Sequence, residues 1–98
     1  MRLTNDERDA IKNAASDIFG QQAVVRLFGS RVDDNKRGGD IDLHLEIDAD
    51  KIDQHDTFAF KDRVWEAMNE LKVDLIVTKR GSPLSWIERA AYRDGVIL

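Results

Sequence analysis

The chain has 98 residues, 42% of them hydrophobic, and no cysteine. That length fits one small domain over residues 1–98, burying roughly 60–65% of its unfolded surface. The missing thiols exclude disulfides, zinc–thiolate sites and thiol catalysis and fit a reducing cytoplasm. With 19 acidic against 15 basic residues the net charge is -4, which argues against direct nucleic-acid binding, and no apolar run approaches the ~18–20 residues of a membrane span or a signal-peptide core.

Residues 4–19 read as a helix. Thr4 and Glu7 have capping-box spacing, Ile11, Ala14, Ala15 and Ile18 share one apolar face, and Gly20 stops it. Residues 23–28 (AVVRLF) read as a short strand ending at Gly29, and residues 31–39 as a polar loop. Residues 40–47 alternate, with Ile41, Leu43, Leu45 and Ile47 on one face and Asp40, Asp42, His44 and Glu46 on the other. That is a half-buried strand. An acidic loop over 48–56 leads to a helix over 57–71 carrying Phe60, Val64, Met68 and Leu71. Residues 73–78 form a third strand. Ser82 and Pro83 open a last helix as N-cap and first turn, which stops near Gly95 before an apolar tail, Val96, Ile97 and Leu98. The expected class is α/β (α+β), a small mixed sheet with flanking helices in the order α-β-β-α-β-α.

Two carboxylates two apart on a strand point the same way, so Asp40 and Asp42 have Cα atoms ~6.5–7 Å apart on one face. Asp74 sits between apolar neighbours on another short strand, where a carboxylate is costly unless paired or metal-bound. If the two strands are neighbours, all three converge. Their mutual repulsion is then relieved by a divalent ion, and hard oxygen donors suit Mg²⁺ or Mn²⁺. Alone, Asp-x-Asp at a strand start also serves as a solvated turn. Gly29-Ser30 breaks an apolar strand into a polar loop. A glycine there lets backbone amides approach a phosphate, and the Ser30 hydroxyl can donate to it. Arg31, Lys36 and Arg37 add positive charge. The same pair equally suits a plain strand-ending turn, and no P-loop or dinucleotide fingerprint is present.

The combination is more specific than its parts. LFGSR, then DIDLHLEI beginning ten residues after Ser30, then VDLIV around Asp74, resembles the nucleotidyltransferase superfamily that includes DNA polymerase β, and in particular its minimal nucleotidyltransferase (MNT) branch. The likeness covers roughly residues 22–98, and the ending AAYRDGVIL is similar to that of MNT proteins. It implies a palm-like core with two Mg²⁺ ions and ATP as substrate. Gly29, Ser30 and Arg31 would hold the triphosphate, Asp40, Asp42 and Asp74 would bind the ions, and Asp74 would help to activate the acceptor hydroxyl. Small MNT proteins are commonly cytoplasmic antitoxins that adenylylate a helical HEPN toxin, an RNase. The resemblance therefore implies AMP transfer to a HEPN-type partner protein. The alternative is a non-catalytic module that neutralises such a partner by contact. Transfer to a small molecule such as an antibiotic is disfavoured, because no further domain is present to hold it. The loop departs from the family in carrying Asp33 and Asp34.

Among the remaining residues, His44 reads as a partly exposed strand residue. His55, Lys79 and Arg80 read as solvated. Trp65 and Trp86 read as core residues or partner anchors, and Tyr92 as a helix-packing residue.

Overall fold

The computed structural model describes residues 3–29, 41–48 and 52–98. Its elements run α1 (Asn5–Phe19), β1 (Val24–Phe28), β2 (Ile41–Ile47), α2 (Gln54–Ala67), β3 (Val73–Lys79), α3 (Trp86–Asp94) and β4 (Val96–Ile97). The expected α/β architecture is present, with one strand added at the end. The four strands form a mixed sheet in the order β3-β2-β1-β4. β2 pairs antiparallel with β1 and parallel with β3, and β4 pairs antiparallel with β1. A parallel neighbour needs a crossover connection, and α2 supplies it.

The helix ends follow local chemistry. Thr4 caps α1 in a full capping box with Glu7, as the spacing predicts. α2 begins earlier than expected, because the Asp53 side chain accepts hydrogen bonds from the amides of His55 and Asp56 and starts the helix inside the expected loop. It also ends earlier, at Ala67. Asn69 and Glu70 then adopt positive φ and turn the chain into β3. α3 begins later than expected. Its cap is Ser85, which exchanges hydrogen bonds with Glu88 in a second capping box, so Ser82 and Pro83 lie outside the helix. The expected apolar tail becomes β4, where Val96 and Ile97 take the free edge of β1.

Strand alternation divides the sheet into two faces. Ile41, Leu43, Leu45 and Ile47 of β2 are fully buried against Ile11, Ala14 and Ala15 of α1 and Phe60 and Val64 of α2. Phe19 and Phe60 meet edge to face at 6.0 Å and join the two helices. The other face carries Arg26 and Phe28 of β1, Asp42, His44 and Glu46 of β2, and Asp74 and Thr78 of β3. α3 covers the middle of this second face through Glu88 and Tyr92.

Candidate functional site

The parallel register of β2 and β3 sets Asp42 directly beside Asp74. Adjacent strands lie about 4.8 Å apart, so the two carboxylates share one end of the polar sheet face. This is the neighbour relation on which the sequence reading depended. Asp74 is 48% exposed, with Lys72 Nζ 3.6 Å from its Oδ1. Asp42 is half-buried and is paired across β1 with Phe28.

Gly29 follows Phe28 at φ +76°, a backbone conformation that disfavours any side chain. A Cβ built on it would collide with the Asp42 carboxylate, entering at Oδ2. Glycine is therefore required for two independent reasons, the left-handed backbone and the room the carboxylate occupies. Gly29→Ala is expected to cost about 1–2 kcal/mol in backbone strain and to displace the Asp42 carboxylate. Thermal unfolding and transfer rate, measured on the same sample, check it. The rate is expected to fall at least tenfold, more than the modest stability loss explains.

Of the other expected site residues, Ser30, Arg31 and Asp40 lie outside the described residues, as do Asp33, Asp34, Lys36 and Arg37 of the same loop. Among the described residues no group of three or more His, Cys, Asp or Glu side chains is assembled for a metal. The described part of the site is the Asp42–Asp74 pair with Gly29 against it. A cleft of about 460 Å³ runs along the start of β3 on the α2 side of the sheet, lined by Lys61 and Trp65 of α2 and by Lys72, Val73 and Asp74. No motif singles out Lys72. Its position two residues before Asp74 on an extended segment is the only available signal.

Deeper on the same face lies a polar network that strand periodicity did not reveal. His44 is fully buried, not partly exposed as expected, because α3 closes over it. Thr78 Oγ1 donates to Glu88 Oε2 at 2.5 Å, which leaves His44 Nε2 to donate to Thr78 Oγ1 at 2.8 Å. Among the described residues His44 Nδ1 has no partner. Burial, reinforced by the charge of Arg26, pulls the His44 pKa below its ordinary value against the opposing pull of Glu46 and Glu88, so the imidazole is neutral at pH 7. Glu88 is held below the usual carboxylate range, first by the Thr78 hydroxyl and then by Ser85. One carboxylate thus both caps α3 and ties it to β3.

Glu46 is the second anchor. Arg26 donates to its Oε1 at 2.9 Å and Arg80 Nε to its Oε2 at 2.6 Å. Burial alone would raise its pKa. Hydrogen bonds from Arg80, Arg26 and Tyr92 outweigh that and hold it at about 2. Burial raises the Tyr92 pKa, and its hydrogen bond to Glu46 adds to this. The Arg26 guanidinium lies 4.4 Å over the Tyr92 ring, and the His44 ring packs edge to face on it at 4.8 Å. Tyr92 is the packing residue expected. Arg80 is engaged rather than solvated, with a further bond to the Gln22 carbonyl. The network fixes α3 across the centre of the face and leaves the Asp42–Asp74 end accessible. Trp65 and Trp86 are exposed by 41% and 74%, which removes the core reading of both.

No protein-family model matches the chain, and no curated protein matches it. No helix among the described residues is long and apolar enough to cross a membrane.

Proposed function

We propose that this protein is a cytoplasmic, Mg²⁺-dependent nucleotidyltransferase that moves AMP from ATP to a hydroxyl of a partner protein, as an MNT-type antitoxin does to a HEPN toxin. The observation that carries the reading is the registered pair Asp42 and Asp74 with Gly29 closed against Asp42. Two aligned carboxylates beside a glycine turn are a poor choice for stability, since like charges on neighbouring strands repel. They are a good choice for holding a hard cation next to a phosphate chain.

The residues present fit such a metal. Both described ligands are oxygen donors, Asp74 is open to solvent, and the missing Cβ of Gly29 leaves the Asp42 carboxylate in place. Asp42, Asp74 and, from the strand alternation in the sequence, Asp40 would hold the ions. Bound Mg²⁺ would neutralise the triphosphate and make the acceptor hydroxyl more acidic. Gly29, Ser30 and Arg31 would orient the phosphates. The acceptor oxygen attacks the α-phosphorus, the bond to the bridging oxygen of the β-phosphate breaks, and pyrophosphate leaves. Asp74, whose carboxylate is open to solvent, would take up the acceptor's proton.

Incubation with Mg²⁺, α-labelled ATP and a HEPN-type partner tests this. Label is expected on the partner and is expected to vanish in Asp74→Ala. An unlabelled partner that is still neutralised by both wild type and Asp74→Ala would replace the enzyme with a module that acts by binding alone.

A further inference from the structure

Lys72 stands immediately before β3 and two residues before Asp74, a spacing that puts both side chains on one side of an extended chain. Its carbonyl accepts a hydrogen bond from the Ile41 amide at 2.9 Å, which pins this stretch of backbone to the start of β2. Its Nζ lies 3.6 Å from Asp74 Oδ1, and Asp74 is registered with Asp42. A cation thus reaches the end of the sheet where two like charges are neighbours. The lysine side chain is 70% exposed, so the contact is held by charge and not by packing. An ammonium on a flexible four-carbon stem is a point charge with three rotatable donors, free to leave one anion for another. An arginine would instead fork onto both carboxylate oxygens and hold them.

We infer that Lys72 is a cation shared between Asp74 and the nucleotide: it pairs with Asp74 until a triphosphate enters, and then pairs with the phosphates. The inference rests on the nucleotidyltransferase reading above. Two effects of opposite sign follow. On Asp74, Lys72 opposes the binding of a divalent ion to the same carboxylate. On the phosphates, it adds a charge-assisted hydrogen bond to the nucleotide. The two are coupled, because nucleotide that draws the lysine away favours the metal, and metal favours the nucleotide by the same factor. An exposed pair of this kind is weak, so each effect is about three- to fivefold. A lysine that served only the fold would shift both affinities the same way, or neither.

Two titrations of the full chain test it. Mn²⁺ alone is followed by broadening of the Asp42 and Asp74 amides, and ATP at saturating Mg²⁺ by calorimetry. Lys72→Met keeps the stem and removes the charge at an exposed position. It is expected to bind Mn²⁺ about three- to fivefold more tightly and ATP more weakly by a similar factor. Lys72→Arg is expected to bind Mn²⁺ less tightly than wild type. Lys79→Met removes the same charge at the far end of β3, ~16 Å from Asp74, and is expected to change neither affinity. Unchanged or weaker Mn²⁺ binding in Lys72→Met, unchanged ATP affinity, or an equal gain in Lys79→Met overturns the exchange and leaves the site at Asp42 and Asp74 standing. A wild type that binds neither Mn²⁺ at these carboxylates nor ATP overturns the transferase reading as well.

Discussion

Asp42→Asn is expected to lower nucleotidyl transfer by at least ~10³-fold, equivalent to about 4 kcal/mol of transition-state stabilisation. The folded state should barely notice. Asparagine keeps the size of the side chain, and the change removes like-charge repulsion from Asp74, its registered neighbour on the adjacent strand. Stability should therefore stay within about 1 kcal/mol of wild type. Asp74→Asn should behave in the same way, because its exposed ion pair with Lys72 contributes at most about 1 kcal/mol. Initial transfer rates and chemical unfolding of the same preparations check both halves. An inactive variant that has also lost several kcal/mol would assign these carboxylates to the fold instead of the chemistry. Neither change can be rescued by more nucleotide if what is lost is charge stabilisation at the reacting phosphate.

The second large effect lies in the network, where the balance is reversed. Glu46→Gln is expected to destabilise the protein by about 3 kcal/mol, because it leaves Arg26, whose side chain is only 12% exposed, facing a neutral group. In a domain of this size that lowers the melting temperature by 10 °C or more. The pH dependence follows from the direction of the shift. Glu46 has its pKa depressed from 4.5 to about 2 by folding. Its contribution is fully present above pH 4.5 and is lost as pH falls from 4.5 towards 2, amounting to about 3 kcal/mol. Denaturant titrations across that window should show a steep acid loss in wild type and a shallower one in Glu46→Gln. Equal slopes would mean that Glu46 is not the carboxylate whose protonation opens the sheet.

These two outcomes separate what the amino-acid order makes legible from what it conceals. The α/β class and the alternation of β2 follow from periodicity, because one face of β2 is uniformly apolar and must be buried. The pairing of Asp42 with Asp74 follows once β2 and β3 are taken as neighbours, since both aspartates occupy the same phase of their strands. Periodicity does not say whether the polar face is also covered. His44 therefore read as partly exposed and Arg80 as solvated, although α3 closes over His44 and Glu46 engages Arg80. Arg26 within VVRLF was the available sign that this face carries buried charge. The starts of α2 and α3 differ from the expected ones for a local reason. Ser82-Pro83 is a plausible opening, but Ser85 and Glu88 satisfy each other's amides and Glu88 also accepts from Thr78, so the later box prevails. Similarly, Asp53 offers α2 a cap that a reading by apolar spacing overlooks. β4 has no signature at all, because two apolar residues become a strand only where a free edge of β1 awaits them.

Within the site, the contact between Gly29 and Asp42 is the detail that spacing could not supply. Sequence places the glycine before the polar loop and the aspartate after it. The antiparallel pairing of β1 with β2 returns them to the same spot, with Phe28 opposite Asp42. A turn that in sequence serves only to approach a phosphate thus also shapes the carboxylate next to it.

The most direct measurement of the central claim is Mn²⁺ binding followed by paramagnetic broadening of backbone amide signals, with and without ATP. The amides of Gly29, Asp42 and Asp74 are expected to broaden first and together, more strongly with ATP present, and to be spared in Asp42→Asn. Broadening confined to the acidic face of α1 or to the exposed Asp53–Asp56 turn, with Asp42 and Asp74 untouched, would contradict the account.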